Sequence, residues 1–599
     1  MGILLAGILA SAAANLPPLQ YHFEIRRAEG TIYSPWTLSD EKVELRSFVG
    51  SGAKAGDFVA PIIRVAPGQH LSIALDNRLE PCTEAQRKEH RCFNDTNLHT
   101  HGLWVSPKDH SDNVLISIAP GESFQYAYDI PADHPAGTFW YHPHAHGAGF
   151  VQVGSGMAGA LIVTGNRVPT AGTSGDIDIL LKDERGRALP ERVMLFQQMA
   201  YGCFDDKGVI EGRRDKAGNP IRPFTCRPGE VGRIENFDND WSWRRSGRFT
   251  GINGKVEPQL TPAKTGGFER WRMINGGRGE DMRMRLYRLD PAAPPLRTVK
   301  GEEQIAWRER YCLGPPLPMW QIALDGLTRS AIRKVDEAIL FPGERMDVLA
   351  RLPHAGLYCM VNDTKRDDTD KNDPNPPRMV ALVEAKGEGA GATDADSLLQ
   401  SLLVRAAENA MAGSGQLAER TRVVGDLSNG LKLSSFVWHK PIKDKEVSNY
   451  REAILDIVGG PEETAFRVNG LNYDHTRIDA LLPLGKAEEW RVASLLEDHP
   501  LHIHVNPFQI TSITDSKGED MTDPKSPAYD PDYGGLKGEW KDTVYIKENT
   551  RVAFRTRYER FTGDFLLHCH IMYHGDHGMM QNLRVVAEDD AETTSHSTH

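Results

Sequence analysis

The sequence predicts an all-β protein made of three similar units, each a Greek-key β-sandwich or barrel, with a small helical insertion between the second and third units. Apolar and polar residues alternate along many short segments, which is typical of half-buried strands. Glycine and proline are plentiful, at 56 and 37 of 599 residues, and supply the turns between short strands. Two sequence patterns also recur three times along the chain, which indicates repeated β-units.

The first recurring pattern is a strand signal that runs from a turn glycine. It occurs as GQHLSIALDN, GGFERWRMIN and GKAEEWRVAS, at residues 68–77, 266–275 and 485–494. All three copies have the same length, so each is expected to form the same strand of its unit.

The second recurring pattern follows the first in every unit. It occurs as GTFWYH, GLYCMV and GDFLLH, at residues 137–142, 356–361 and 563–568. Aligning the three copies puts His142, Val361 and His568 at equivalent positions. We therefore expect the middle unit to lack the metal ligand that the outer units keep, and to serve as a spacer.

These repeats divide the chain into three units and their connections. The predicted segments are a signal-peptide remnant, the first unit, the second unit, a helical linker, the third unit and a flexible tail, at residues 1–14, 15–168, 169–388, 389–430, 431–588 and 589–599. The linker contains DADSLLQSLLVRAAENA at 394–410, whose apolar residues recur at helical spacing. We expect a surface-packing helix there.

Composition gives no indication of a nucleic-acid partner or a membrane span. The net charge is −12, and no apolar stretch approaches the roughly 20 residues that cross a bilayer. Residues 1–14, MGILLAGILASAAA, are apolar and end in small residues, as a secretory signal peptide does. They lack a basic n-region, so they are either the end of a longer signal or an ordinary frayed terminus. We predict a secreted or periplasmic protein, with a monomer as the default for three domains.

The cysteines agree with export. One of the seven, Cys569, belongs to a metal-ligand motif, and the other six are enough for three disulfides. Short loops favour one set of pairs, namely Cys82 with Cys92, Cys203 with Cys226, and Cys312 with Cys359. Six cysteines allow 15 connectivities, and six buried free thiols are the alternative.

The segment HCHIMYHGDHGM, near the C-terminal end, contains potential ligands for two kinds of metal centre. Successive side chains on a strand alternate between its faces, so His568 and His570 point one way while Cys569 points the other. A thiolate, two imidazoles and a weak axial thioether form a blue-copper, or type 1, site, and Cys569, His574 and Met579 supply three of these ligands. One strand would therefore join two metal centres, and copper-mediated electron transfer is the leading hypothesis.

Three further motifs, LHTHGLW, GTFWYHPHAHG and HPLHIHVNPF, each contain two histidines at a spacing that puts both imidazoles on one face of a strand. The pairs are His99 with His101, His142 with His144, and His502 with His504. His499 stands apart from its pair and completes the type 1 set. The eight histidines that remain suit three more copper ions, because imidazole is a good copper ligand. Chance or a satisfied core histidine explains any single pair, but not four pairs together.

In this order, the four motifs resemble the ligand signature of three-domain multicopper oxidases of the laccase type, and the resemblance covers essentially the whole chain. It implies cupredoxin-like units and four copper ions, with the trinuclear cluster where the first and third units face each other. Type 2 copper would be bound by His99 and His502. The type 3 pair would be bound by His101, His142, His144, His504, His568 and His570. Type 1 copper would be bound by His499, Cys569, His574 and Met579.

Reduction of molecular oxygen to water needs protons, and two aspartates are candidates for delivering them. Asp112 matches a position that laccases place beside the cluster, although a turn-capping aspartate is the alternative. Bacterial relatives often carry a glutamate directly after the type 1 histidine, whereas this chain has Gly575 followed by Asp576. Asp576, or another acid, would take that role.

The sequence leaves the electron donor open. Phenols or aromatic amines are the favoured class of donor. Their oxidation would be outer-sphere, through the ring edges of His499 and His574, which we expect to come toward the surface. A metallo-oxidase acting on Cu(I), Fe(II) or Mn(II) is the alternative, which Glu497 and Asp498 would serve, although no methionine-rich insertion appears near Met579. Ascorbate and bilirubin are also open. A copper-free binding scaffold would have lost ligands that are all present here, and a copper nitrite reductase needs no type 3 pair.

Two acidic loops, at residues 363–373 and 523–533, contain several oxygen ligands of the kind that bind calcium. The first, DTKRDDTDKND, lacks an EF-hand pattern. A solvated loop is the favoured interpretation of both.

Overall fold

The computed structural model of the protein describes residues 16–88, 92–205, 225–234, 243, 246–363, 378–388, 394–413, 416–460 and 463–587. The predicted signal-peptide remnant, the tail from 589 and the acidic loop beyond Asp363 lie outside these residues. Within the described residues, no helix is long and apolar enough to span a membrane.

The first unit is a pair of β-sheets, as predicted. Its strands are β1 (Leu19–Ser34), β2 (Ser39–Val49), β3 (Ile63–Val65), β4 (His70–Asn77), β5 (His99–His101), β6 (Ser123–Asp129), β7 (Gly137–His142) and β8 (Gly159–Val163). One sheet has the order β2-β1-β4-β6 and the other β3-β8-β7-β5. The two inner faces enclose an apolar core that includes Phe23, Ile73 and Leu161.

The middle unit is also a pair of sheets. Its strands are β9 (Glu191–Gln197), β10 (Gly202–Phe204), β11 (Val231–Arg233), β12 (Gly251–Ile252), β13 (Lys255–Val256), β14 (Gln259–Lys264), β15 (Phe268–Asn275), β16 (Met282–Leu289), β17 (Cys312–Leu313), β18 (Met319–Leu324), β19 (Leu327–Val335), β20 (Ala338–Leu340), β21 (Arg345–Arg351), β22 (Gly356–Asn362) and β23 (Arg378–Lys386). The sheets run β13-β12-β9-β15-β21-β18-β19 and β14-β23-β22-β16-β17. Strands β10 and β11 instead extend the first unit's sheet beside β2.

The third unit repeats the arrangement. Its strands are β24 (Val447–Gly460), β25 (Glu463–Val468), β26 (Ala480–Pro483), β27 (Ala487–Ser494), β28 (His499–Ile503), β29 (Phe508–Thr514), β30 (Trp540–Lys541), β31 (Thr543–Ile546), β32 (Arg551–Arg557), β33 (Gly563–Cys569) and β34 (Met580–Val586). The sheets run β25-β24-β27-β32-β29-β30 and β26-β34-β33-β28-β31. The prediction of three similar two-sheet β-units is confirmed.

Both recurring sequence patterns form equivalent strands in the three units. Strands β4, β15 and β27 each begin two residues after a glycine with positive φ, and each lies between one parallel and one antiparallel neighbour. Strands β7, β22 and β33 each lie between two antiparallel neighbours. Val361 of β22 is buried in an apolar cluster with Cys359 and Met379, where the outer units carry a histidine.

The predicted helix is present, and a second helix follows it. The first spans Ala395–Ala410, because the Asp394 side chain accepts a hydrogen bond from the backbone N–H of Ser397 and caps it. The second spans Leu417–Ser428 and was not predicted. Together they bury an apolar face that includes Leu403 against the middle unit's Trp320. Shorter helices span Glu84–Lys88, Gly149–Gly154, Gln304–Tyr311 and Met572–Asp576.

The three predicted disulfides are all formed, between Cys82 and Cys92, Cys203 and Cys226, and Cys312 and Cys359. Cys569 is buried and forms no disulfide. The predicted disulfide pairing is therefore confirmed.

Glu257 makes stability depend on pH. It is 3% exposed, and burial raises its pKa to about 7, although Gln304 and Arg297 act in the opposite direction. An unfolded glutamate titrates near 4.5, so the native state binds this proton more tightly and its stability falls as pH rises from about 4.5 to 7. We predict that Glu257→Gln raises stability above pH 7 by up to about 3 kcal/mol.

The test is the melting temperature of the variant and the unsubstituted protein across this pH range. The difference should be largest above pH 7 and vanish near pH 4. Glu309→Gln, at a surface-exposed glutamate on the helix Gln304–Tyr311, is the control. A pH-independent difference for Glu257→Gln would contradict the prediction.

Candidate metal centres

The predicted ligand strands of the first and third units meet at one interface. In the first unit β5 pairs with β7 so that His99 lies opposite His142. In the third unit β28 pairs with β33 so that His502 lies opposite His568. His144, His504 and His570 follow directly after these strands rather than within them. Strand pairing thus aligns the histidine motifs, although each of these three strands ends before its second histidine.

Eight histidines, seven of them buried and His144 half-buried, converge where the two units meet. His568 Nε2 lies 3.1 Å from His144 Nε2 and 3.2 Å from His504 Nε2. His570 Nε2 lies 3.3 Å from His101 Nδ1. Each of these contacts except the one between His504 and His568 joins the two outer units, so the cluster requires both of them.

Imidazole rings from the two outer units also stack on one another. The rings of His99 and His504 are 3.9 Å apart and nearly parallel, and those of His101 and His502 are 3.7 Å apart. His99 belongs to the first unit, and a ring of the third unit, that of His504, therefore lies against its face. The interface is built from the histidines themselves.

The second nitrogen of several rings is bound to a backbone oxygen, which fixes the orientation of the ring. His142 Nδ1 donates to Pro143 O, His502 Nδ1 to Asp542 O and His568 Nδ1 to Cys569 O. This leaves Nε2 of each ring with its lone pair directed into the cluster, an arrangement common among metal-binding histidines.

The cluster contains buried imidazole nitrogens that have no hydrogen-bond partner among the described residues. They are His99 Nε2, His142 Nε2, His502 Nε2, His504 Nδ1 and His570 Nδ1. An unsatisfied buried polar atom is costly. Ring nitrogens of His99, His101 and His142 lie within 4.8 Å of one another, as do those of His99, His502 and His504, and such groups suit a bound cation. The residues present therefore fit a group of copper ions.

Burial favours the neutral form of seven of these imidazoles, the form that metal ligation requires. Desolvation, and then the neighbouring imidazoles, lower the pKa of His99 well below its ordinary value. Burial likewise lowers the pKa of His142 and of His568 to about 3. The pKa is also lowered well below its ordinary value for His101, His144, His504 and His570.

The second candidate centre lies inside the core of the third unit, on the other side of β33. Cys569 Sγ lies 3.6 Å from His499 Nδ1 and 3.8 Å from His574 Nδ1, and the two nitrogens are 3.3 Å apart. Met579 is fully buried in the same core as Cys569, and its backbone N–H donates to His574 O. The alternation of His568, Cys569 and His570 between two sites is as the strand pattern predicted.

His499 and His574 are both fully buried. The expectation that their ring edges come toward the surface is therefore wrong. His499 Nε2 donates to the backbone oxygen of Leu496 at 2.9 Å. The Phe466 ring stacks on His574 with 4.5 Å between centroids. Other residues therefore cover both rings, and the Leu496 carbonyl lies directly against the His499 ring.

Asp112 contacts the histidine cluster. Its Oδ2 accepts from His99 Nδ1 at 2.9 Å, and its Oδ1 accepts from the backbone N–H and the hydroxyl of Thr100. Burial raises the pKa of Asp112 to about 7, although the Thr100 hydrogen bonds act to lower it. The structure thus places a carboxyl that can hold or release a proton directly behind a cluster ring.

Asp576 lies near the cluster but binds backbone. Its carboxylate accepts from the Gly147 N–H at 3.1 Å and from the Phe150 N–H at 2.7 Å, so it fixes the helix Gly149–Gly154 of the first unit to the third. Burial raises its pKa to about 7, and these two hydrogen bonds act to lower it. Asp576 thus joins the first unit to the third.

Sequence analysis did not identify Asp542, which also touches the cluster. Its Oδ1 lies 3.4 Å from His101 Nε2 and 3.5 Å from His502 Nδ1. Burial acts to raise the pKa of Asp542, but Arg345 outweighs burial and keeps this pKa below its ordinary value. The sequence signal was a charged pair, Lys541 and Asp542, inside the strand-like run WKDTVYI.

The other acidic candidates are held by neighbouring groups. Asp498 accepts from the Tyr545 hydroxyl at 3.1 Å and from the Glu548 N–H at 2.7 Å. In the 523–533 loop, Asp532 pairs with Arg283 and Lys547. These contacts favour the structural interpretation of both aspartates.

Comparison with known proteins agrees with this geometry. Family models described as "Multicopper oxidase" match residues 51–167 and 446–589. A multicopper oxidase of Staphylococcus haemolyticus is 20% identical over 565 residues, covering 92% of this chain and 89% of that protein.

Solved structures share the fold along nearly the whole chain. A Campylobacter jejuni multicopper oxidase described as a metallo-oxidase has a TM-score of 0.59 at 22% identity, covering 95% of this chain and 94% of that one. A laccase-like multicopper oxidase from an Ochrobactrum species has a TM-score of 0.57 at 19% identity, covering 95% and 99%. The matched segments carry every candidate ligand motif, and the family models, the relatives and the solved structures together support a multicopper oxidase, a copper-containing oxidoreductase that uses oxygen.

Proposed function

We propose that the protein is a laccase-like oxidase that removes one electron at a time from phenolic or other aromatic donors. Four such oxidations would supply the four electrons and, with four protons, convert one dioxygen to two waters. The observation that carries this proposal is the placement of Cys569 in one candidate centre and of its chain neighbours His568 and His570 in the other.

Four copper ions would be held by these residues. His499, Cys569, His574 and Met579 would hold a type 1 copper, and His99 and His502 a type 2 copper. The type 3 pair would be held by His101, His142, His144, His504, His568 and His570. The convergence of three Nε2 atoms from His144, His504 and His568 supports one half of that pair. Bound copper would supply one-electron redox chemistry at the type 1 site and oxygen chemistry at the cluster.

The protein's own residues connect, shield and protonate these sites. A short covalent path leads from Cys569 Sγ through the backbone to the rings of His568 and His570. Burial of all eight cluster histidines except the half-buried His144 excludes bulk water from the oxygen site. Asp112, behind His99, and Asp576 would each hold a proton at a carboxyl oxygen and release it toward the cluster.

The surface above His499 supports an aromatic donor. Leu495 and Leu496, just before His499, are 57% and 45% exposed, and Leu471 is 50% exposed. The Leu495 N–H donates to Leu455 O, and Leu455 of β24 pairs with Val468 of β25. The Val468 N–H in turn donates to Leu471 O. Leu495 and Leu471 therefore lie just after the ends of neighbouring strands. Clustered exposed apolar side chains suit the face of a phenol better than a hydrated metal ion.

A metallo-oxidase acting on Cu(I), Fe(II) or Mn(II) is the second candidate, because the exposed Glu497 lies beside Asp498. The Asp498 carboxylate already binds Tyr545 and Glu548, which weakens this candidate.

The deciding experiment is oxygen uptake by copper-loaded protein with a dimethoxyphenol or with Cu(I), each corrected for the rate without protein. A higher kcat/KM for the phenol is expected. A higher kcat/KM for Cu(I) would replace the laccase assignment by the metallo-oxidase.

Leu496→Glu tests where the donor binds. The substitution keeps the backbone oxygen that binds His499, but it removes apolar contact worth about 1.4 kcal/mol, so KM for a neutral phenol should rise about tenfold. The measurement is KM and kcat by oxygen uptake. The control is Leu417→Glu, at a leucine that is 66% exposed on the helix Leu417–Ser428. An equal KM in the two variants would place the donor elsewhere.

We also propose that the protein is exported and monomeric. The three disulfides support an oxidising compartment outside the cytosol. Fractionation of the native host, with size-exclusion chromatography of the purified protein, tests both points, and a cytosolic or dimeric protein would contradict them.

A further inference from the structure

The middle unit reaches the histidine cluster through Arg345, at the start of β21. The side chain is fully buried. Its Nη1 donates to Asp542 Oδ1 at 2.7 Å and its Nη2 donates to Asp542 Oδ2, so the guanidinium holds the carboxylate in a two-armed pair. It also donates to the backbone oxygens of Gly343 at 3.1 Å, Asp325 at 3.0 Å and Thr138 at 3.4 Å. Arg345 therefore touches all three units.

Asp542 in turn lies directly behind two imidazoles of the cluster. Its backbone oxygen accepts from His502 Nδ1 at 2.8 Å, and its Oδ1 lies 3.4 Å from His101 Nε2. The Thr543 hydroxyl donates to the same Oδ1 at 2.9 Å. The rings of His101 and His502 stack at 3.7 Å. One residue thus supports a ring from each outer unit.

A buried set of charges holds this arrangement in place. Asp325 accepts from the Arg345 N–H at 3.0 Å and from the Thr543 N–H at 3.2 Å. Lys541 Nζ lies 3.0 Å from Asp325 Oδ2 and 3.1 Å from Glu344 Oε1. These opposite charges neutralise one another in a buried environment. Removal of one of them would leave its partner as an unpaired buried charge, which is destabilising.

Two glycines let the middle unit approach this closely. A Cβ at Gly102, which follows His101, would collide with Arg345 Nη2. A Cβ at Gly343 would lie 2.7 Å from His570 Cδ2. Both glycines have positive φ, at 87° and 85°. The backbone of the middle unit is therefore in direct contact with a cluster ring.

We propose that Arg345 is a positioning residue for oxygen reduction, which holds Asp542 and thereby fixes the orientation of His502 and His101. The middle unit, expected from the sequence to be a spacer, is then part of the support of the oxygen site. This inference rests on the proposed function in one respect, namely that His101 and His502 bind copper.

The test compares Arg345→Met with the unsubstituted, copper-loaded protein. The blue absorption should be unchanged, because the Cys569 site lies on the other face of β33. The electron paramagnetic resonance signal of type 2 copper should change, and kcat for oxygen uptake should fall about 10- to 100-fold with KM for the donor unchanged. Arg283→Met is the control, since Arg283 forms a two-armed pair with Asp532 between the same two units.

Arg345→Lys is the second variant in case Arg345→Met does not fold. It keeps the charge but not the two-armed geometry, so the same changes are expected at smaller size. An unchanged type 2 signal and kcat in a folded Arg345 variant, or equal losses in Arg283→Met, would overturn the proposal. Absence of both copper signals in the unsubstituted protein would contradict the proposed function, and the inference with it.

Discussion

Replacing Cys569 by serine is expected to abolish the blue absorption and to reduce donor oxidation to the rate without protein. The buried Cys569 Sγ faces His499 and His574, and a thiolate is the soft ligand that defines a blue-copper site. A serine hydroxyl is a poor replacement for it. The same substitution interrupts the path from this site to the histidine cluster, so oxygen uptake should stop as well.

The cluster histidines should still bind copper in Cys569→Ser, because His568 and His570 keep their backbone positions. Visible absorption, oxygen uptake and copper content per chain are the three measurements. Met580→Leu is the matched control, because Met580 is a buried thioether next to Met579 that packs in a different apolar cluster, with Val114 and Leu566. Blue colour that persists in Cys569→Ser would refute the type 1 assignment.

His502→Ala is expected to show the opposite separation, with blue absorption intact and oxygen reduction lost. His502 Nε2 is buried without a partner among the described residues, and its Nδ1 is held by Asp542 O. Removal of a residue that supports a metal ligand already lowers metal affinity or activity by about 10- to 100-fold. Loss of the ligand itself should therefore lower oxygen uptake by at least about 100-fold.

Absorption, the type 2 electron paramagnetic resonance signal and oxygen uptake test His502→Ala. His439→Ala is the control, since His439 is an imidazole outside the cluster that contacts the rings of Trp104 and Trp540. Normal oxygen uptake by His502→Ala would eliminate the cluster assignment. Equal losses in the two variants would show a general effect of removing an imidazole.

Features that depend on local geometry or ligand chemistry could be predicted from the sequence. Alternation along a strand separates Cys569 from His568 and His570, whatever the rest of the fold does. The repeats led to equivalent strands such as β4, β15 and β27, because each begins after a turn glycine. Few residue types bind copper well, which limited the candidate ligands to a small set.

Features that depend on contacts between distant segments could not be predicted. Arg345 and Asp542 are 197 residues apart, and nothing in either local sequence indicates that they pair. The Phe466 ring that stacks on His574 comes from β25, more than 100 residues earlier in the chain. Strand β11 joins the first unit's sheet although it lies far along the chain, since a strand edge accepts any backbone that reaches it.

Coupling between donor oxidation at one centre and complete reduction of oxygen at the other is the central feature of the proposed function. The direct test is the number of donor molecules oxidised per dioxygen consumed by copper-loaded protein, measured together with hydrogen peroxide. We predict four donors oxidised per dioxygen, with no peroxide released. Two donors per dioxygen, with a matching amount of peroxide, would contradict the coupling of the two centres through Cys569, His568 and His570.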